Sequence, residues 1–164
     1  MTLENEVIWD QFGAAIDMLE QSIIDCPEEL WNTDFKFWHI AYHTLFFLDY
    51  YLSEDPVHFS PPSPFNLDEL SPDGLLPARV YNKKELLDYL KFSRKKCHEY
   101  LLNFTEEKAK LRFVNHYRDY SFFEQILNNM RHVQHHTAQL NLYLRQTINY
   151  EPTWISRSKN KFLN

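Results

Sequence analysis

Two glycines in 164 residues, Gly13 and Gly74, leave this chain nearly without the residue that tight hairpins and phosphate-cradling loops depend on. Multi-strand hairpin architectures are therefore disfavoured, and neither a GxGxxG nor a P-loop can be written from the sequence. Cysteine is equally sparse. Cys26 and Cys97 stand far apart, outside any CxxC or Cys/His cluster of metal-binding spacing, and read as two free thiols of a reducing cytosol. Positive charge is in deficit: 17 Lys and Arg face 23 Asp and Glu, the net charge is -6, and no basic run exceeds Arg94-Lys95-Lys96. A polyanion partner needs basic side chains to neutralise phosphates, so no nucleic acid is expected as ligand. No apolar run approaches the roughly 18 residues of a membrane span. The start, MTLENEVIWDQF, is acidic and amphipathic, unlike a secretory signal. The expectation is a soluble, cytoplasmic protein with no membrane partner.

What is present is a heavy aromatic load, 16% Phe, Trp and Tyr, within a hydrophobic fraction that suffices for one packed core. Six of the eight prolines fall between residues 54 and 80, so that stretch is no regular helix but one long connection. Four helical segments fit around it. The first spans about 3–25, with Ile8, Phe12, Ala15, Ile16, Leu19 and Ile23 at helical spacing, and ends at Pro27. The second spans about 35–52 behind Asp34 as cap, with a stripe of Phe37, Trp38, Ala41, Leu45, Leu48 and Leu52. The third, about 82–104, opens on a capping box of Asn82 and Glu85. The fourth, about 121–147, opens on another of Ser121 and Glu124, and carries Ile126, Met130, Val133, Leu140 and Tyr143. The fold class is all-α: a four-helix bundle over residues 1–150 with a long crossover between helices two and three. Residues 151–164 form a tail in which Trp154 docks and the rest frays.

Eight histidines are placed suggestively. In RHVQHHTAQL, His132 and His136 stand four apart and share one helix face, whereas His135 is rotated away toward solvent. Helix two repeats the spacing with His39 and His43 in WHIAYH. One of these two plus the helix-four pair gives three neutral nitrogen ligands with a coordination position left open. A helical HxxxH is by itself a weak signal, and packing histidines are the plain alternative. HExxH is absent, since Val133 and Gln134 fill the middle, and no glutamate stands three before any histidine, so a zinc-peptidase helix and a di-iron bundle are both disfavoured.

A histidine midway along helix two, then His132-Val-Gln-His-His136-Thr-Ala138-Gln139-Leu140 leading into Tyr143-Leu144-Arg145-Gln146, resembles the DinB/YfiT-like metal-binding four-helix bundles. Their last-helix motif reads approximately H-x-x-x-H-x-G-Q-[IL]. Ala138 replaces the glycine, a small residue that close helix approach beside the metal would explain. The resemblance implies His43, His132 and His136 as ligands of a divalent ion, with His39 as an outer or pocket residue and Gln139 as a helix-packing amide. Zinc is the default ion, nickel and iron the alternatives. It also implies a small-molecule substrate, with some relatives acting as S-transferases or isomerases on low-molecular-weight thiols and others as hydrolases, and it implies a homodimer. A three-histidine ion can lower the pKa of bound water to about 7 or deprotonate a bound thiol. The competing reading is a non-catalytic metal-binding or structural helical homodimer, its site closed by His39 as fourth ligand. The 54–80 connection, with Phe59 and Phe65, is a candidate pocket wall or lid. Tyr117, Tyr120, Asp49 and Tyr50 are candidates for the pocket mouth, and none is singled out as general base.

Overall fold

The computed structural model describes residues 3–160. Its first long helix, α1, is Leu3–Asp25, as the apolar periodicity requires, and Pro27 caps a short second one, α2, Glu28–Trp31. The next, α3, is Phe37–Tyr50. It starts two residues later than expected, and Asp34 does not cap it. Lys36 does, in the left-handed conformation at φ 54°, with no side-chain hydrogen bond to the helix end. That conformation is uncommon for a residue with a Cβ, and nothing in local propensity announces it. Residues 51–82 then run without regular structure except a single 3-10 turn at Asp68–Leu70.

The fourth helix, α4, is Lys83–Leu102, and both halves of the Asn82–Glu85 box form. At the start of the last helix, α6, Phe122–Ile148, only half of the second box forms: Ser121 accepts from the Glu124 backbone N–H. A left-handed Asn149 (φ 55°) ends α6. Between α4 and α6 lie elements the sequence did not announce, a short helix α5, Glu106–Lys110, and an antiparallel hairpin of β1, Arg112–Val114, and β2, Asp119–Ser121. Strands of three residues are too short for a period-two pattern to register. Asn115 makes the turn without glycine, its side chain accepting from the backbone N–H groups of Tyr117 and Arg118.

The chain is thus mostly helical, with one two-stranded sheet among the described residues. α1 packs on α4 and α6, and α3 packs on the same two, so the long helices enclose one core around Phe12, Ile16, Leu45, Leu90 and Leu140. Phe59 and Phe65 belong to that core. Phe65 stacks on Tyr42 and Tyr89, and Phe59 meets Phe46 and Tyr50 edge-on, so neither is a pocket residue. The tail also departs from expectation. Trp154 stays exposed, while Ile155 packs with Ala14 and Met18. The tail then returns along α1: Ser158 N–H donates to the Asp10 carbonyl, Lys159 N–H to the Asp17 carboxylate, and Trp9 Nε1–H to the Asn160 carbonyl. Residues 161–164 lie outside the described residues. No described helix is long and apolar enough to cross a membrane.

Candidate metal centre

α3 and α6 lie side by side, so a histidine midway along one can face an i,i+4 pair on the other. His43, His132 and His136 meet there, each contributing a nitrogen, with those atoms all within 4.8 Å of one another. The imidazole centroids are 4.5 to 5.3 Å apart. The closest contact is His132 Nε2 to His43 Nε2, 3.4 Å. That is long for a nitrogen–nitrogen hydrogen bond. It is close to the nitrogen–nitrogen separation that tetrahedral ligation with Zn–N bonds of about 2.0–2.1 Å would require. The donor set fits a divalent ion.

The outer contacts favour the same nitrogens. Glu69, in the 3-10 turn, takes His43 Nδ1 on one carboxylate oxygen (2.7 Å) and His39 Nε2 on the other (2.9 Å). Burial alone would push the Glu69 carboxyl up, but the hydrogen bonds it accepts from His39 and His43 hold it down at about 2. An ionised carboxylate only accepts, so His43 donates from Nδ1 and its Nε2 lone pair points to the cluster. Gln139 does the same for His136, with its Oε1 2.7 Å from Nδ1. Gln139 is therefore not the packing amide expected; it is exposed and orients an imidazole. His132 Nδ1 is buried without a partner, held among Phe47, Tyr51 and its neighbouring imidazoles.

His39 faces Glu69 and stands outside the cluster, which contains no fourth histidine, cysteine or carboxylate among the described residues. His135 is exposed. Ala138 is exposed too and lines an outer groove of α6, of about 550 Å³, so close helix approach does not explain its size. Asp49 is buried on Lys96 and Tyr89, away from any pocket mouth. Tyr50 and Tyr117 do line a cavity of about 360 Å³, together with Phe47, Tyr51, Arg118 and the 69–71 stretch of the connection. Glu69 is the residue sequence reasoning missed. Ligating histidines commonly seek a carboxylate, but the 54–80 stretch offers five (Glu54, Asp55, Asp68, Glu69, Asp73), and spacing does not choose among them.

Desolvation, and then the neighbouring His136 and His43, push the His132 imidazole down to about 3. His136 is lowered as well, chiefly by burial. Both are neutral at pH 7, as metal ligation requires. A consequence for the metal-free protein follows. The unfolded chain protonates His132 near its ordinary 6.5 while the folded chain does not, so stability is intact above 6.5 and falls as pH drops towards 3. The loss approaches about 1.4 kcal/mol per pH unit from this group. Urea midpoints measured between pH 7.5 and 5 should show the decline, and His132→Phe should flatten it; an unchanged slope in the variant would place the acid sensitivity elsewhere.

The DinB superfamily model matches residues 7–140. This chain belongs to the DinB superfamily. The match covers α1 through most of α6 and so includes all three clustered histidines and Glu69. No curated protein and no solved structure matches the chain.

Proposed function

We propose that this DinB-superfamily protein is a mononuclear metal protein that acts on a small molecule, using the ring of four long helices closed by the 51–82 crossover to set three histidines around one divalent ion. The observation that carries the reading is the cluster of His43, His132 and His136 with His39 turned away to Glu69, which leaves the ion three protein ligands and an open position. That is the arrangement of catalytic centres, not of closed structural ones. Zinc is the first candidate, then nickel or iron.

When bound, the ion supplies Lewis acidity toward a small thiol or water. The chain's own residues do the rest. Glu69 and Gln139 hold the imidazoles in the right tautomer, Phe47 packs on the His43 and His132 rings and Tyr51 on that of His132, and the 69–71 stretch walls the adjoining cavity. Neither cysteine competes as a nucleophile: burial pushes the Cys26 thiol up to about 12 and the Cys97 thiol up as well. A thiol-dependent S-transfer or a hydrolysis fits this equipment, with a low-molecular-weight thiol in a reducing cytoplasm as partner. A homodimer, as the resemblance implies, is part of the same reading.

The open position is tested with cobalt(II)-substituted protein. Adding a small thiol should produce a sulfur-to-metal charge-transfer band. A spectrum unchanged at saturating thiol would mean a closed, structural site. Glu69→Gln should weaken metal affinity about 10- to 100-fold, since it removes the anion that orients His43. Competition with a chromophoric chelator measures this, and an unchanged affinity would remove Glu69 from the site's machinery.

A further inference from the structure

We propose that the cavity beside the histidines contains a subsite for an oxyanion, a carboxylate in the first place, with Arg118 as its receptor. The proposal rests on the metal reading only for what holds the other end of the same ligand. Arg118 lies at the end of the hairpin turn, just before β2. Its Nη1 is buried with no hydrogen-bond partner, and no carboxylate is within ion-pair distance of it among the described residues. Arg112, in the same hairpin, is by contrast held by Asp119. A buried guanidinium N–H without an acceptor is costly for a fold to retain, and ligand-binding walls are where such donors recur.

Its position is held, not incidental. Asn115 N–H donates to the Arg118 carbonyl, the Asn115 side chain accepts from the Arg118 N–H, and Asn115 Nδ2 donates to the Tyr50 hydroxyl, which ties the turn to α3. The guanidinium carbon lies 4.5 Å from the centre of the Tyr51 ring. The guanidinium also hydrogen-bonds the Tyr51 hydroxyl, and its remaining N–H groups are the ones left to meet a carboxylate. Burial raises the Tyr51 hydroxyl's pKa, and the charge of Arg118 and its hydrogen bond to that hydroxyl oppose the rise.

The cavity, about 360 Å³, has an aromatic wall of Phe47, Tyr50 and Tyr51, and Arg118 is its only Lys or Arg. Its one lining carboxylate, Glu69, is engaged by His39 and His43 and so does not neutralise Arg118. Tyr51 also contacts the His132 ring, with centroids 5.7 Å apart. The guanidinium carbon is therefore no farther from that imidazole than those two distances added, a span that a small organic acid covers. A ligand with a donor atom at one end and a carboxylate at the other fits between the ion's open position and Arg118.

The experiment compares 3-mercaptopropionate with 2-mercaptoethanol, which differ in the carboxylate, by calorimetry on zinc-loaded protein. The acid should bind at least about tenfold more tightly. Arg118→Gln should abolish that preference, Arg118→Lys should retain part of it, and zinc content should be equal in all three proteins. No preference in the parent, or a preference that survives Arg118→Gln, overturns the subsite while the metal reading stands. If the protein takes up no zinc, the same pair is titrated into metal-free protein. An Arg118-dependent preference for the acid there upholds the subsite and removes the metal reading; its absence overturns both.

Discussion

Asp49→Ala is expected to cost the fold about 3 kcal/mol, the low end of what breaking a buried ion pair from one side costs. Asp49 is 1% exposed, on the side of α3 that meets α4. One carboxylate oxygen takes the Lys96 ammonium at 2.5 Å, and the other accepts from the Tyr89 hydroxyl at 2.9 Å. Burial raises the Asp49 carboxyl, and Lys96 and Tyr89 oppose it without cancelling it. Alanine would strand the Tyr89 hydroxyl, itself 1% exposed, with no acceptor. Lys96 would fare better: its side chain is 30% exposed and still donates to the Asp49 carbonyl, which is why the low end of the range applies. For a chain of this length the melting temperature should fall by about 6 to 12 °C. Asp49→Asn, which keeps an oxygen for Tyr89, should fall between parent and alanine. Calorimetric melting of the three proteins decides the matter, and an alanine variant melting with the parent would show that the pair contributes nothing net.

His43→Ala should have the larger effect on the metal. Full four-ligand sites bind zinc with apparent free energies of about 10–16 kcal/mol, so one ligand is worth about 3–4 kcal/mol, or a 100- to 1000-fold loss of affinity. The loss should exceed that of Glu69→Gln, because the substitution removes the nitrogen itself and not only the group that aims it. Helicity should be retained, since the imidazole lies beside the α3–α6 core and not inside it. Circular dichroism and zinc titration together check both statements. An affinity within threefold of the parent would exclude His43 as a ligand and reopen the case for His39.

How much of this was legible beforehand depends on how local each feature is. α1, the Asn82–Glu85 box and the non-helical 54–80 stretch follow from apolar spacing, a three-residue capping pattern and prolines, all written within a few residues. The His132–His136 pair is likewise local, because i and i+4 share a helix face whatever the rest of the fold does. Its convergence with a helix-two histidine is not local and rested on the bundle, and the choice of His43 over His39 came from the resemblance. Most of the failures are cases where partners are distant or geometry is unusual. Glu69 reaches His43 only because of the path the connection takes, and Asn115 holds Arg118 against Tyr51 only because a glycine-free hairpin closes there. Lys36 begins α3 in a backbone conformation that its residue type disfavours. Gln139 was read as packing because a side-chain amide on a helix flank says nothing about whether an imidazole waits one turn back.

The central claim is that one ion sits between α3 and α6, and elemental analysis of the untagged protein beside a His132→Ala/His136→Ala double variant tests it most directly. About one equivalent of zinc, nickel or iron per chain in the parent and none in the variant is the predicted result. Neither protein retaining metal, even after incubation with all three ions, would contradict it, and the three histidines would then be packing residues of a DinB-superfamily fold.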